Sequence, residues 1–315
     1  MLTLALATCL MAAIAAGPAR AGTVVSLTFD DGEASQYAAR TPLASHGVHG
    51  TFYLNSTRLG TSGFYMTWAE ASDLAADGNE IGGHTLNHVD LTSSALSDSQ
   101  KRDEVCSDRQ NLIARGFDPV SFAYPYGAGD ATAQALARAC GYTSARRIGG
   151  IASPGWCPEC GIRTEPFPAA NAFDVRTASF GSGELTLAAM QGVIAQAEIA
   201  GGGWIPLAFH GVCDPGPCGE GWVRPRTISA LLDWLAPRAA HGTVVRTVRE
   251  ALETAPPASP AKAAKPKRTR CRAKGASAAA RARSCARRRR PSRCRKASKG
   301  CRRSGPRART PHRGR

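Results

Sequence analysis

Short, β-rich apolar runs alternate with longer segments of helical periodicity from residue 22 to about residue 250. Strict alternation of strand and helix favours a parallel sheet covered by helices, because successive parallel strands need a crossover connection. About seven such units predict a distorted (β/α) barrel that is closed or nearly closed. An open, doubly wound sheet is the alternative.

The predicted elements are bounded by Gly, Asp or Pro residues. The predicted strands are 23–29, 51–54, 80–83, 121–124, 143–145, 204–209 and 243–248. The predicted helices are 34–45, 67–77, 97–115, 130–140, 184–200 and 227–239. Thr67 and Glu70 have the spacing of a capping box, and Asp130 is placed as an N-cap. The stretch 146–182 is rich in Pro, Gly and Cys, and is predicted to be a long loop.

Charge divides the chain into two parts. The sequence has 40 Lys and Arg residues against 24 Asp and Glu residues, a formal net charge of +16. However, no acidic residue follows Glu253, and 23 of the basic residues lie beyond residue 255. The whole-chain charge therefore does not identify a nucleic-acid or membrane partner. We predict a globular domain over 22–254 and a disordered Arg/Lys-rich tail over 255–315, because the tail has almost no large apolar residues.

The first residues predict export. Residues 1–21 form an apolar stretch that ends in Ala19-Arg20-Ala21, as cleavable secretory signals do, with an uncleaved anchor as the alternative. No other segment approaches an unbroken apolar run of membrane-spanning length, so we expect no transmembrane span in the mature chain. The expected location is secreted or associated with the cell envelope.

Cysteine usage agrees with an oxidising compartment. The predicted domain contains six cysteines, which are Cys106, Cys140, Cys157, Cys160, Cys213 and Cys218. An even number in an exported chain predicts disulfides, and we favour a pair between Cys106 and Cys140, which would join two predicted helices. The alternative for the other four is a structural zinc site.

Polar clusters follow four of the predicted strands, where parallel α/β proteins collect their reactive groups. The clusters are residues 28–32, 84–88, 123–127 and 210–211. His84 and His88 supply two imidazoles, and one carboxylate of Asp30 and Asp31 would complete a His-His-Asp set typical of catalytic zinc sites. The other carboxylate can then deprotonate water, and His210 is placed to protonate a leaving group. Each cluster alone is also common in turns or at the rims of strands, so their joint placement carries the inference.

These clusters resemble, in order, the motifs of the polysaccharide deacetylase family, also called the NodB-homology domain or carbohydrate esterase family 4. The matching segments are Thr28-Phe-Asp-Asp-Gly32, His84-x-x-x-His88, Phe122-Ala-Tyr-Pro-Tyr-Gly127 and His210. The resemblance extends over about residues 23–250. It implies a distorted (β/α) barrel that uses a divalent metal to remove acetyl groups from N-acetylated or O-acetylated sugars.

The resemblance also implies roles for single residues. Asp30 is expected to be the general base, and His210 the general acid. The expected metal ligands and oxyanion donor are Asp31, His84, His88 and the backbone N–H of Tyr126.

One motif position departs from the family pattern. Ala123 stands where the family often has an arginine that steadies the base carboxylate, and we predict that Arg176 replaces it. Trp204 and Trp222 are candidate sugar-stacking rings, although core packing is the favoured role of each.

The expected function is secreted, metal-dependent deacetylation of a polysaccharide, most of all the N-acetyl groups of an N-acetylglucosamine-containing polymer such as peptidoglycan or a chitin-like glycan. Acetyl-ester hydrolysis is a second activity to test. Zinc is favoured by the His-His-Asp set, although such sites also accept cobalt. The tail is expected to bind an anionic envelope polymer, whereas export disfavours nucleic acid. The alternatives are an inactive sugar-binding relative held at the envelope by its tail, and a scaffolding protein.

Overall fold

The computed structural model describes residues 22–153, 157–178 and 183–254. The predicted signal (1–21) and basic tail (255–315) lie outside the described residues. The described residues contain eight strands: β1 (Thr23–Phe29), β2 (Thr51–Leu54), β3 (Glu80–Gly83), β4 (Ser121–Ala123), β5 (Ser144–Ile151), β6 (Val175–Ala178), β7 (Gly203–Phe209) and β8 (Thr243–Val245).

The strands form a closed parallel ring. Each strand from β1 to β7 pairs with the next in chain order, and β7 pairs with β1 along its whole length. On its other side, β1 pairs with β8 through Thr23–Val25 and with β2 through Thr28 and Phe29. The predicted distorted barrel is therefore confirmed, with eight strands, and the ring closure rules out the open-sheet alternative.

The helices cover the outside of the ring. They are α1 (Arg40–Ser45), α2 (Trp68–Ala76), α3 (Asp98–Arg102), α4 (Asp108–Ala114), α5 (Ala131–Ala139), α6 (Leu187–Ala200), α7 (Pro225–Leu235) and α8 (Val248–Glu253). Thr67 caps α2 with a capping box, and Asp130 caps α5, as their sequence positions predict. Among the described residues, no helix is long and apolar enough to cross a membrane.

Several predicted elements differ from the structure; the strand predicted over 243–248, for example, ends at Val245, and α8 begins at Val248. The helix predicted over 97–115 is divided into α3 and α4 by a π-helical turn, Asp103–Ser107. The strand predicted to start at residue 143 continues to Ile151, and β6 lies inside the predicted long loop. Gly149 and Gly150 make the pairing of β5 with β6 hard to predict from the sequence. Both have positive φ, and the β5–β6 register shifts between Arg146 and Gly150.

The two faces of the strands have different chemistry. Alternate residues such as Leu27, Phe29 and Phe52 pack against the helices in the apolar core. The opposite face lines the inside of the ring and is polar, since strand side chains alternate between faces. There the hydroxyls of Thr51 and Ser121 donate to the carboxylate of buried Glu80.

Three disulfides are present in the described residues, as predicted. Cys106 is bonded to Cys140, which joins the π-helical turn to the residue that follows α5. The other pairs are Cys157–Cys160 and Cys213–Cys218. Because these four thiols are bonded to each other, the alternative of a four-cysteine zinc site is wrong.

Candidate active site

The carboxyl ends of the parallel strands lie at one end of the ring, and the predicted polar clusters meet there. Asp30 and Asp31 follow β1, His84 follows β3, and His210 follows β7. The donor atoms of Asp31, His84 and His88 all lie within 4.8 Å of one another. Two loops that are distant in sequence therefore supply one compact cluster.

The cluster has the chemistry of a cation site. Oδ1 of Asp31 lies 3.2 Å from Nε2 of His84 and 3.0 Å from Nε2 of His88. Nδ1 of His84 lies 2.7 Å from the carbonyl oxygen of Ala123, which can only accept, so Nδ1 carries a proton. In neutral His84, the lone pair of Nε2 then faces the buried Oδ1 of Asp31, which has no hydrogen-bond partner. A divalent metal fits between these atoms, because it would give each lone pair a ligand bond.

Electrostatics at the cluster favours a negative Asp31. Burial alone raises the pKa of Asp31, but the neighbouring imidazoles of His84 and His88 outweigh burial and hold the pKa well below its usual range. Asp31 is therefore a carboxylate anion across the physiological pH range.

Backbone strain is concentrated at this mouth. Within the described part of the chain, four residues other than glycine have positive φ, and all belong to the predicted clusters: Asp31 (74°), Thr85 (66°), His88 (57°) and Tyr126 (58°). A left-handed backbone at such residues costs about 1–3 kcal/mol each and persists where the surroundings enforce it. This strain is typical of a functional site.

Asp30 is buried and paired with an arginine that the sequence did not identify. Its Oδ1 accepts a hydrogen bond from Nη2 of Arg146, and the two side chains are 4% and 1% exposed. The Arg146 guanidinium lies over the ring of Tyr53, 4.7 Å from its centroid. Arg146 is the register partner of Ala123 on the neighbouring strand. A cation therefore approaches Asp30 from β5 where the resemblance expected one from β4.

The prediction that Arg176 orients Asp30 is wrong. Nε of Arg176 lies 2.7 Å from Oε2 of Glu165, and Nη2 donates to Oε1 at 3.1 Å. Glu165 is almost completely buried, so its carboxylate needs this cation. Arg176 is thus already held by another acid.

Asp108 fixes the backbone beneath the histidine pair. This fully buried carboxylate accepts from the backbone N–H of Ser56 at 2.9 Å and from that of His84 at 3.1 Å. Burial raises the pKa of Asp108 to about 6, although the hydrogen bonds from Ser56 act to lower it. Only its position as an acid on the buried side of a predicted helix could have indicated this role.

His210 is joined to the Asp30 segment through Gln36. Nε2 of Gln36 donates to the backbone carbonyls of both Asp30 and His210. The imidazole rests against Gly221, where a Cβ would lie 2.5 Å from Nδ1 of His210. This close approach leaves no room for a side chain at position 221. The φ of Gly221, +70°, also favours glycine.

The aromatic candidates have different positions. Trp204 is fully buried, and its indole N–H donates to Ser26, so it cannot be a sugar-stacking ring. Trp222 is half-buried and packs against Gly211, next to His210. Tyr126 is 70% exposed, and its ring packs against the edge of His88 with a centroid distance of 4.6 Å.

A family model described as polysaccharide deacetylase matches residues 18–145. This segment of the chain is therefore similar to polysaccharide deacetylases. The match includes Asp30, Asp31, His84, His88 and Tyr126. Enzymes of this family are hydrolases that act on acetyl groups. A search of curated proteins finds no match.

Solved structures of deacetylases resemble this chain. A de-N-acetylase from Aggregatibacter actinomycetemcomitans is 21% identical, with 40% of this chain and 64% of that chain covered and a TM-score of 0.36. IcaB from Ammonifex degensii is 25% identical, with 39% of this chain and 58% of that chain covered and a TM-score of 0.35. Peptidoglycan deacetylase PdaC from Bacillus subtilis is 16% identical, with 74% of this chain and 91% of that chain covered and a TM-score of 0.47. The chain therefore spans less than two thirds of the length of the first two proteins.

Proposed function

We propose that the protein is a metal-dependent deacetylase that hydrolyses the N-acetyl groups of a polymer containing N-acetylglucosamine, such as peptidoglycan or a chitin-like glycan. The observation that carries this proposal is the Asp31, His84 and His88 cluster beside Asp30, a buried carboxylate with its own arginine. The three clustered side chains would hold the metal, with zinc favoured by two imidazoles and one carboxylate. When bound, such a metal polarises a carbonyl and lowers the pKa of water.

The side chains of the protein have separate roles in this proposal. Asp30 accepts the proton of the attacking water, while Arg146 holds the carboxylate in one orientation. The backbone N–H of Tyr126 donates to the oxygen that becomes negative as water adds to the acetyl carbon. His210 gives a proton to the departing sugar nitrogen as the C–N bond breaks. The products are acetate and a free amine.

The Arg146–Asp30 pair supports an active enzyme over the alternative of an inactive sugar-binding relative. That alternative depends on the alanine at position 123 having removed the cation beside the base. Arg146 supplies a cation to the same carboxylate from the neighbouring strand. An ordered, paired base is what proton abstraction requires.

We propose an extracellular location for this activity. Three disulfides are compatible with an oxidising compartment. In this proposal, residues 1–21 direct export, 22–254 form the catalytic domain, and the basic residues of 255–315 bind an anionic envelope polymer.

Acetate release from N-acetylglucosamine oligomers, with and without a chelator, tests the function. We expect release that chelation abolishes and zinc or cobalt restores. Asp30→Asn and Asp31→Asn should each lose turnover, whereas Asp73→Asn, which removes a surface carboxylate paired with Arg40, should keep it. No metal-dependent release from chitin oligomers, peptidoglycan or acetylated xylan would contradict the proposal.

A further inference from the structure

Exposed aromatic side chains are concentrated at the mouth of the ring. Within the described residues, four large apolar side chains are exposed, and the two aromatic ones are Phe64 and Tyr126. The other two, Ile113 and Ile199, lie on α4 and α6. Leaving a phenylalanine ring 54% exposed forfeits the free energy that its burial would provide. Because Phe64 is next to the candidate active site, its exposed ring is available to stack on a bound ligand.

Phe64 is attached directly to the segment that carries Asp31. The backbone N–H of Ala34 donates to the carbonyl oxygen of Phe64 at 2.8 Å, and the N–H of Met66 donates to the carbonyl oxygen of Gly32 at 2.9 Å. Tyr65 forms an antiparallel bridge with Glu33. The loop that carries Phe64 therefore runs alongside residues 32–34 and has a fixed position relative to the cluster of Asp31, His84 and His88.

A chain of side-chain contacts also links Phe64 to the loop that carries His88. The ring of Phe64 meets that of Tyr65 edge-on, with a centroid distance of 4.9 Å. Arg58 lies over the Tyr65 ring and donates to its hydroxyl at 2.5 Å. The same guanidinium donates to the carbonyl oxygen of Asn87 at 2.7 Å. Phe64 is thus held on a rigid support and is separated from His88 by Tyr65 and Arg58.

We infer that Phe64 forms a binding subsite for a sugar ring of the polysaccharide, at a position away from the sugar that is deacetylated. This inference rests on the proposed function. The C–H face of a hexose in the pyranose form is apolar and flat enough to cover an aromatic ring, so stacking buries both surfaces. The side-chain contacts that link Phe64 to the loop of His88 pass through Tyr65 and Arg58, so we expect a sugar on Phe64 to be a different unit of the glycan from the one that is deacetylated. The subsite therefore selects polymer over short substrates.

Chain-length dependence of deacetylation tests this inference. We expect Phe64→Ala to lower kcat/KM on N-acetylglucosamine hexamers about tenfold, or about 1.4 kcal/mol, through KM. Turnover of a small acetyl ester should be unchanged, because it does not reach Phe64. Phe64→Trp should keep hexamer activity. The matched control is Ile113→Ala, which removes an exposed apolar side chain on α4. It should leave the turnover of both substrates unchanged.

Calorimetric binding of the hexamer separates this inference from the proposed function. Affinity should fall about tenfold in Phe64→Ala, with an unchanged unfolding temperature. If the wild type binds the hexamer through Phe64 but releases no acetate, the proposed function fails and the subsite remains. If the wild type is active and Phe64→Ala retains both hexamer affinity and chain-length preference, the subsite is wrong.

Discussion

Replacing Arg146 with methionine leaves Asp30 as a buried charge without its partner. The side chains of the pair are 1% and 4% exposed, so solvent cannot compensate for the lost cation. Removing one member of a buried ion pair costs about 3–5 kcal/mol, against at most about 1 kcal/mol for a surface pair. We therefore expect Arg146→Met to lower the free energy of unfolding by about 3–5 kcal/mol, measured by urea denaturation at pH 7.

Activity should fall more than stability explains. A positioned general base contributes about 10²–10⁴-fold to rate, and a misplaced carboxylate loses part of that factor. We expect kcat per folded molecule to fall about 100-fold with little change in KM. Arg176→Met is the matched control, because it also removes the partner of a buried carboxylate, Glu165, away from the mouth. That variant should lose stability but keep the kcat of the wild type.

A double variant separates the charge effect from lost packing. Asp30→Asn in the Arg146→Met background removes the unpaired charge, so we expect it to recover part of the lost free energy. No recovery would mean that packing of Arg146 on Tyr53 dominates. An Arg146→Met protein within about 1 kcal/mol of the wild type, or with unchanged kcat, would refute the assignment of Arg146 to Asp30.

Further expectations concern the metal, the disulfide, a buried acid and the tail. Dialysis against a chelator should abolish acetate release, and added zinc should restore the wild type but not Asp31→Asn. Alanine at both Cys106 and Cys140 should lower the free energy of unfolding by about 3–4 kcal/mol, because the closed loop spans 34 residues; an unchanged urea midpoint would contradict this. Burial raises the pKa of Glu80 above 4.5, so the folded state holds its proton more tightly than the unfolded state, and stability falls as pH rises from about 4.5 through the folded pKa. Glu80→Gln should show a smaller slope in urea titrations, with the remainder coming from other buried acids such as Asp108, and equal slopes would exclude Glu80 as a source. Deleting 255–315 should release the protein from cell envelopes at low salt, whereas salt-insensitive retention of both forms would contradict binding of an anionic polymer.

The sequence predicted the ring because the elements that form it have strong local signals. The predicted bounds of β1, β2 and β3 agree with the structure, since a Gly, Asp or Asn residue stands immediately beside each strand. The strand β6 was missed because it lies within the Pro-, Gly- and Cys-rich stretch that was predicted to be a loop. Local signals predict an element when such residues mark its ends, and fail when they are spread through the whole segment.

The same limit explains which site residues were found. Parallel topology places every strand end at one mouth, so the meeting of Asp31, His84 and His88 needed only the correct order of elements. The roles of Gln36 and Asp108 depend on side chains that cross between elements, and neither is adjacent to a recognisable motif. Contacts of this kind require the packing of the helices, which periodicity does not specify.

Arg146 shows what additional reasoning could recover. The Pro-, Gly- and Cys-rich composition of 146–182 predicted a loop, and the predicted strand therefore ended at residue 145. Strand geometry places successive side chains on opposite faces, so Arg146 points into the ring and Arg147 points out, where it lies 3.2 Å from Asp174. A buried cation inside a ring is stable only beside an anion, and Asp30 is the buried carboxylate at the end of β1. Extending β5 by one register position, and requiring a partner for each inward charge, would have limited the partner of Arg146 to an inward acid of the ring, Asp30 or Glu80.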